Sequence, residues 1–244
     1  MRTPLTGGVC AECALFLSGR LLIKKLELNF QEDIYIYAKD LRPQVERFQK
    51  FSHGGGFEGY ERLTPSDFFE KTAPFNVEIG IGNGEFISAF ATKHPEQNYL
   101  GFEVMKRIFD RAIRKVRTAE VKNAKIIHFD ATFFISLFKD GSVDNFYVNF
   151  PDPWPKKKHN KRRLLKTSFI EILTSKLKKG GSLYMATDQV DYAEEIVLNL
   201  KPVENLKSAY DTVFINELVD YHETKYYRKF SPELGVYFFR MIKQ

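Results

Sequence analysis

The sequence has few cysteines: its 244 residues include only Cys10 and Cys13. Their C-x-x-C spacing occurs in zinc sites and in redox pairs. A structural zinc site needs about four ligands, and neither a second cysteine pair nor a nearby histidine pair supplies the others. A redox pair is expected at the strand-to-helix junction of a thioredoxin-like unit, which this terminus does not resemble. We therefore expect two reduced thiols without a function, and no metal site.

A long hydrophobic run is also lacking. A membrane-spanning helix needs roughly 20 consecutive apolar residues, and the longest early apolar stretch, residues 15–23, is interrupted by Ser18, Gly19 and Arg20. A secretory signal would need a basic start and a longer apolar core. We therefore predict a cytoplasmic protein without membrane contact. Hydrophobic residues make up 43% and charged residues 28% of the chain, which is usual for a globular protein with one sizeable core.

Acidic residues are outnumbered by basic ones, and the formal net charge is +6. This moderate excess is compatible with a polyanionic partner. Its distribution is more informative, because residues 156–166, here named the basic segment, contain seven lysines and arginines. So many like charges repel one another, which indicates a counter-anion such as a phosphate backbone. Arg107, Arg111 and Arg114 share one face of a predicted helix, although such a stripe is more often solvated surface.

Two parts of the chain differ in pattern. In residues 1–70, the alternation of Leu26, Leu28 and Phe30 and the segment 34–37 predict a β-hairpin, followed by a helix over 41–51. We expect a small accessory element there; the alternative is an RNA-docking module. In residues 71–244 strands and helices alternate, which is typical of an α/β fold with a mostly parallel twisted sheet and helices on both faces. The predicted strands are 75–79, 99–104, 124–129, 143–150 and 182–187, with a C-terminal pair at 212–218 and 236–242, and the predicted helices are 86–91, 106–118 and 166–179.

A glycine loop follows the first strand of the second part. Glu78 precedes three glycines at alternate positions, Gly80, Gly82 and Gly84. Glycines let the backbone turn sharply and approach a ligand closely. Their spacing is tighter than the dinucleotide fingerprint G-x-G-x-x-G. Because glycine-rich turns also occur for purely structural reasons, this loop alone is a weak indication of a binding site.

Acidic residues also end the next two strands. Glu103 stands at the tip of the second strand, where a carboxylate can accept hydrogen bonds from the hydroxyls of a ribose. Asp130 follows the third strand and could accept from an adenine amino group. Together with Glu78, these acids suit a positively charged nucleoside without phosphates. The arrangement resembles that of the class I S-adenosylmethionine-dependent methyltransferases.

A proline-rich segment follows the fourth strand. Prolines on both sides of Asp152 fix φ and remove backbone donors, so we expect a stiff turn that presents Asp152 at the edge of the sheet. The structural alternative is a strand exit in which Trp154 is a packing anchor. The basic segment directly after it favours an active site beside an RNA-binding surface.

Taken together, these motifs resemble the bacterial tRNA (guanine-N7-)-methyltransferase family. The resemblance spans about residues 74–241. Its motifs are Glu78-Ile79-Gly80, Gly101-Phe102-Glu103, Phe150-Pro151-Asp152-Pro153-Trp154, His159-Asn160-Lys161-Arg162-Arg163 and Ala186-Thr187-Asp188. It implies a Rossmann-like class I fold and methyl transfer from S-adenosyl-L-methionine to N7 of a guanine in tRNA, guanine 46 in the variable loop.

The resemblance also implies a role for each site residue. The cofactor-binding residues would be Glu78, Gly80, Gly82, Glu103, Asp130 and Asp152. The substrate-binding residues would be Lys156, Arg162, Asp188 and Thr224, and Asp152 would be the catalytic residue. The family has a Thr-x-x-Glu motif near its end, and here Thr224 is followed by Tyr227 in place of the glutamate. Glu223, next to Thr224, is a possible substitute.

The target atom suggests how Asp152 would act. Guanine N7 has a lone pair and carries no proton, so its methylation needs alignment and no general base. We therefore expect Asp152 to orient the guanine. We expect a monomer or homodimer without an obligatory protein partner. The alternatives are a methyltransferase fold that binds RNA without catalysis, as a chaperone or assembly factor, and a methyltransferase for small molecules or proteins.

Overall fold

Strands and helices alternate along the described part of the chain, which in this computed structural model comprises residues 25–51, 61–218, 227 and 235–244. The strands are β1 (Tyr35–Ile36), β2 (Phe75–Ile79), β3 (Asn98–Glu103), β4 (Ala124–His128), β5 (Val143–Asn149), β6 (Leu177–Thr187), β7 (Leu206–Ser208) and β8 (Tyr237–Lys243). The helices are α1 (Ala38–Phe51), α2 (Glu85–Lys93), α3 (Lys106–Thr118), α4 (Ala131–Ser136), α5 (Thr167–Lys176) and α6 (Val190–Leu200), with short 3₁₀ helices at Pro65–Asp67 and Lys157–Arg162.

These strands form one sheet in the order β1–β4–β3–β2–β5–β6–β8–β7. Strands β1 to β6 pair in parallel, whereas β8 is antiparallel to both β6 and β7. The predicted parallel sheet with a C-terminal antiparallel strand is therefore confirmed. Strand order reverses at β2, which has β3 on one side and β5 on the other. In open α/β sheets, ligands bind at the carboxyl ends of the strands beside such a reversal.

Helices cover both faces of the sheet. Successive side chains of a strand point to opposite faces, so each strand contributes residues to the apolar core on either side. In β3, Leu100 and Phe102 belong to an apolar core that also contains residues of α1, α4, α5 and α6. Tyr99 belongs to a second core, formed with α2 and α3. The central strands therefore lie between two layers of helices. None of the helices in the described ranges has the length and apolar character needed to span a membrane.

The predicted N-terminal hairpin is wrong within the described residues. Residues 26–30 form no strand, and only a single bridge joins Gln31 to Tyr35. Strand β1 instead pairs in parallel with β4. The reason is tertiary: Leu26 and Ile36 are buried in the same core as the central strands, and the edge of β4 supplies hydrogen bonds, such as Ile126 N to Ile34 O (2.8 Å). The boundary at residue 70 between an accessory element and the following domain stays a prediction.

Only one of the two predicted C-terminal strands is present as a strand. Strand β8 corresponds to the second predicted strand, but its outer partner is β7. The segment predicted as the first strand contributes only the bridge between Ile215 and Phe238. Helix α5 ends at Lys176, earlier than predicted, and β6 begins at once. Helices α4 and α6 lie outside the predicted elements.

Gly101 lies in β3 at the place where the glycine loop and α2 pack on this strand. A Cβ at this position would lie 2.5 Å from Cγ2 of Ile81 in the loop and 2.9 Å from Cδ1 of Ile87 in α2. The absence of a side chain therefore lets the loop and α2 pack closely on β3.

We predict that Gly101→Ala lowers the free energy of unfolding by about 1–3 kcal/mol, because a methyl group would overpack this contact. Chemical denaturation measures the effect. Exposed Lys122 serves as the control, and Lys122→Ala is expected to change stability by less than about 0.5 kcal/mol. Equal stability of Gly101→Ala and the wild type would show that the loop moves aside freely.

Candidate active site

The acidic residues singled out in the sequence follow one edge of the sheet. Asp130 comes after β4, Glu103 ends β3, the glycine loop follows β2, Asp152 follows β5 and Asp188 follows β6. These five strands are neighbours in the sheet. Because adjacent strands lie about 4.8 Å apart, the ends of these five strands extend over roughly 19 Å. This length is sufficient for a ligand bound in an extended conformation along the edge of the sheet. The structure thus brings these residues to one edge, as predicted.

The glycine loop leaves open space beside its backbone. Gly80 and Gly82 have φ angles of 76° and 55°, which residues with a side chain rarely adopt. A Cβ built on either would meet no atom within 4 Å. Amides of the loop are held by β3, since Gly80 N and Ile81 N both donate to Phe102 O, at 2.9 and 3.0 Å. The loop is therefore a firmly held, open cradle.

Glu78 lies beneath this cradle and is buried, with 4% of its surface exposed. Its Oε2 has no hydrogen-bond partner among the described residues. Burial raises the pKa of Glu78 to about 8; the side chain of Asn149 and the backbone amide of Ile87 act in the opposite direction, and Glu103 raises it further. A buried carboxyl with a free oxygen is suited to accept a charged donor from a ligand.

Glu103 is also buried, and both of its carboxylate oxygens accept hydrogen bonds from backbone amides. Oε2 accepts from Gly82 N (3.1 Å), while Oε1 accepts from Val104 N and Met105 N (both 2.9 Å). This carboxylate therefore ties the glycine loop to the end of β3. The sequence motifs gave no role to the next two residues, Val104 and Met105, which are 61% and 57% exposed. Two apolar residues between a strand end and a helix are a signal that could have identified an exposed apolar patch at this edge of the sheet.

Asp130, which was predicted to contact the cofactor, has an observed structural role. It is the N-cap of α4, and its Oδ1 accepts from Thr132 N (2.8 Å) and from Thr132 Oγ1 (2.7 Å). N-cap residues satisfy amides that have no partner inside the helix. Asp130 remains exposed, so its cofactor contact stays a prediction.

Residues 150–154, here named the Asp152 loop, are strained. Phe150 and Trp154 have φ angles of 49° and 44°, a conformation that costs a non-glycine residue roughly 1–3 kcal/mol. Phe150 N donates to Ala186 O on β6 (2.8 Å), and Trp154 N donates to Oδ1 of Asp152 (3.1 Å). Asp152 itself is exposed. The loop therefore presents a carboxylate to solvent at the end of β5, as the prolines predicted.

The structure divides the basic segment into two sets. One set is exposed and consists of Lys156, Lys157, Lys158, Lys161 and Arg162. Of these, Arg162 lies over the ring of Trp154, with Cζ 4.8 Å from the centroid. Arg163 and Lys166 instead form ion pairs with acids of α6. The side chain of Arg163, 1% exposed, is closed to a phosphate backbone, so the predicted phosphate-binding surface is narrower than the whole basic segment.

The remaining predicted residues lie at the edge of the site or outside the described ranges. Asp188 directly follows β6 and is 7% exposed. Tyr227 packs beside the Asp152 loop, its ring centroid 6.4 Å from that of Phe150. Thr224 and Glu223, like Cys10 and Cys13, lie outside the described residues.

Comparison with known proteins identifies the family of this chain. Residues 72–238 match a family described as "Putative methyltransferase". The tRNA (guanine-N(7)-)-methyltransferase of Macrococcus caseolyticus is 34% identical over 168 residues, which cover 62% of this chain and 80% of that protein. The chain belongs to this methyltransferase family.

In two other relatives the matched region covers a smaller share of the protein. The enzyme of the same name from Thermotoga maritima is 38% identical over 169 residues, covering 69% of this chain and 53% of the relative. The one from Bacillus subtilis is 40% identical over 120 residues, covering 49% and 56%. The chain therefore spans just over half the length of these two relatives.

Solved methyltransferase structures share the fold. Precorrin-6y C5,15-methyltransferase from Geobacter metallireducens has a TM-score of 0.50 and 13% identity, covering 71% of this chain and 82% of that one. NSun6 from Pyrococcus horikoshii, solved with SFG, has a TM-score of 0.53 and 16% identity, covering 69% and 47%. At such low identities the likeness concerns the fold alone.

The raised pKa of Glu78 predicts a pH-dependent stability. An unperturbed glutamate side chain has a pKa of 4.5, whereas the pKa of Glu78 in the fold is about 8, so between these values the folded state binds the proton more tightly. The stability contributed by Glu78 is therefore complete below pH 4.5 and decreases as the pH rises from 4.5, by at most roughly 1.4 kcal/mol per pH unit, until the loss is complete above pH 8.

Denaturation curves of the wild type and of Glu78→Gln between about pH 5 and 8 test this. The stability difference between the two proteins should shift with pH in the direction just given, since the glutamine does not titrate. Exposed Glu194→Gln is the control and should follow the wild type. Parallel curves for all three proteins would mean that Glu78 is ionised in the fold.

Proposed function

We propose that this protein transfers a methyl group from S-adenosyl-L-methionine to N7 of a guanine in tRNA, with guanine 46 of the variable loop as the target implied by its family. The observation that carries the proposal is the free oxygen of buried Glu78 beneath an open glycine loop, next to the Asp152 loop and its exposed cations. The names of the family relatives support the reaction and the substrate. A tRNA substrate also fits the predicted cytoplasmic location.

The residues present fit the cofactor. S-adenosylmethionine supplies an electrophilic methyl group on a sulfonium, and it also carries an ammonium. Glu78 has a free carboxyl oxygen for that ammonium, and the open space at Gly80 and Gly82 admits a ligand against the backbone. Glu103 and Asp130, at the ends of the neighbouring strands, would hold the adenosine part. The absence of basic residues from this set suits a ligand without phosphates.

Asp152 would orient the guanine. N7 needs no deprotonation, so the exposed carboxylate of Asp152 is available to accept a hydrogen bond from the guanine N1–H or N2–H and to offset the charge that develops on the base. Alignment of the reacting atoms can supply roughly 7–11 kcal/mol of a bimolecular barrier. Asp188, at the end of β6, would contact the same nucleotide.

The exposed cations would bind the tRNA backbone. Lys156 and Arg162 lie at the two ends of a short 3₁₀ turn that directly follows the Asp152 loop. Phosphate contacts of this kind position a nucleic acid without reading its sequence. They would also offset the cost of a few kcal/mol for moving the target base out of its stack.

A second candidate function is RNA binding without catalysis, as a chaperone or assembly factor. It is favoured by Tyr227, which replaces the family glutamate and packs against Phe150. A methyltransferase for small molecules or proteins is less favoured, because the exposed cations beside Asp152 would then have no purpose.

Methyl transfer to unmodified tRNA from labelled S-adenosylmethionine, followed by digestion and identification of the nucleoside, tests the proposed function. We expect 7-methylguanosine from the wild type. In Asp152→Asn the turnover should fall about 100-fold, because the guanine loses its orienting carboxylate, while cofactor binding is largely retained. Exposed Asp211→Asn is the control. Salt-sensitive tRNA binding without any methyl incorporation would support the non-catalytic function.

Cofactor binding should release a proton. An ammonium beside Glu78 favours the ionised carboxylate and lowers its pKa from about 8, so at neutral pH most Glu78 side chains would lose a proton on binding. Affinity should therefore rise between about pH 6 and 7.5. Calorimetry in buffers of different ionisation enthalpy measures the proton count. Glu78→Gln should bind more weakly and release none; equal proton release by both proteins would place the ammonium elsewhere.

A further inference from the structure

Arg163 differs from the other cations of the basic segment because its side chain is only 1% exposed. Its neighbours Lys161 and Arg162 are exposed. A buried charge is tolerated when it is paired and hydrogen-bonded. The burial of Arg163 therefore indicates that its side chain binds other groups of the protein, and it excludes direct contact with an RNA phosphate.

The guanidinium of Arg163 connects the Asp152 loop to α6. Nε donates to the carbonyl oxygen of Pro153 at 2.7 Å. Nη1 donates to Oε2 of Glu195 at 2.6 Å, and Nη2 donates to the carboxylate of Asp191. The ring of Tyr192 lies against the guanidinium, with its centroid 4.8 Å from Cζ. All edges of the planar group are thus in use.

The acids on α6 are themselves held in place. Glu195 also accepts from Lys166, so two cations face two carboxylates and the cluster is neutral. Burial alone would raise the pKa of Glu195, but the hydrogen bonds from Lys166 and Arg163 outweigh it, and the pKa lies below its usual value. The anchor on α6 therefore remains charged at neutral pH.

The conformation of the Asp152 loop requires stabilising contacts from outside the loop. Pro151 and Pro153 have no amide hydrogen to donate, and the residues at both ends of the loop, Phe150 and Trp154, have positive φ angles. Strained backbone persists only where the surroundings determine it. The carbonyl that Arg163 binds belongs to Pro153, the residue directly after Asp152.

We propose that Arg163 is a positioning residue that fastens the Asp152 loop to α6 through Pro153, Asp191 and Glu195. It thereby sets where the Asp152 carboxylate stands. The consequence for the reaction rests on the proposed function, but the fastening itself can be observed without any substrate.

Trp154 provides the first test, because it is the only tryptophan of the chain and lies in the loop. In Arg163→Met the fluorescence of Trp154 should be quenched more readily by acrylamide and its anisotropy should fall, at temperatures where the protein remains folded. Arg163→Lys should give an intermediate result, because one ammonium cannot replace a fork of donors. Lys161→Met, which removes an exposed neighbouring cation, should leave the quenching as in the wild type.

Kinetics provide the second test. For Arg163→Met we expect kcat to fall about 10- to 100-fold, since small misplacements of a catalytic group have effects of this size, with little change in KM for tRNA. Lys161→Met should instead raise KM for tRNA. A rise in KM alone for Arg163→Met would mean that this side chain acts through RNA binding and would overturn the proposal.

The two tests separate the possible failures. If Arg163→Met is folded and Trp154 is quenched as in the wild type, the fastening does not exist, whatever the enzyme does. If the wild type does not methylate tRNA, the proposed function fails while fluorescence still decides about the fastening. Should Arg163→Met not fold, the double variant Asp191→Asn with Glu195→Gln takes its place. It should also loosen Trp154, and unchanged quenching there would overturn the proposal.

Discussion

Parallel pairing of β2 with β3 on one side and β5 on the other is the constraint on which the site depends. It brings the carboxyl ends of the strands to one edge of the sheet. Glu78, Glu103 and Asp152 are far apart in sequence, and this pairing makes them neighbours. The close packing of Ile81 and Ile87 on Gly101 places the glycine loop at the same edge.

Two carboxyl groups at this edge have opposite environments. Glu78 is buried and has a raised pKa, so it is poised to ionise when a cation arrives. Asp152 is exposed on a strained loop and is free to meet a base from solvent. The difference in burial suits Glu78 to the proposed cofactor site and Asp152 to the proposed nucleotide site. The strand that contains Glu78, β2, and the strand that precedes Asp152, β5, are nevertheless direct neighbours in the sheet.

Cations of the basic segment are divided in a similar way. The exposed lysines and Arg162 are the proposed contacts for a polyanion, whereas Arg163 and Lys166 form ion pairs with Asp191 and Glu195 on α6. The proposed RNA-binding surface and the proposed anchor of the Asp152 loop thus come from consecutive residues. Substitutions in this segment should accordingly affect binding or turnover, depending on which set they change.

Much of this arrangement follows from the sequence alone. The alternation of strands and helices, the glycine loop after β2 and the acids at the strand ends are local patterns, and local patterns determine where strands end and loops begin. Other features depend on contacts between distant residues. Strand β1 pairs with β4 because its apolar residues join the central core. Arg163 turns inward because acids 28 and 32 residues away reach it. The pKa of Glu78 is raised because burial in the packed chain removes its carboxyl group from water. Burial and long-range pairing are properties of the packed chain, so only the tertiary structure decided them.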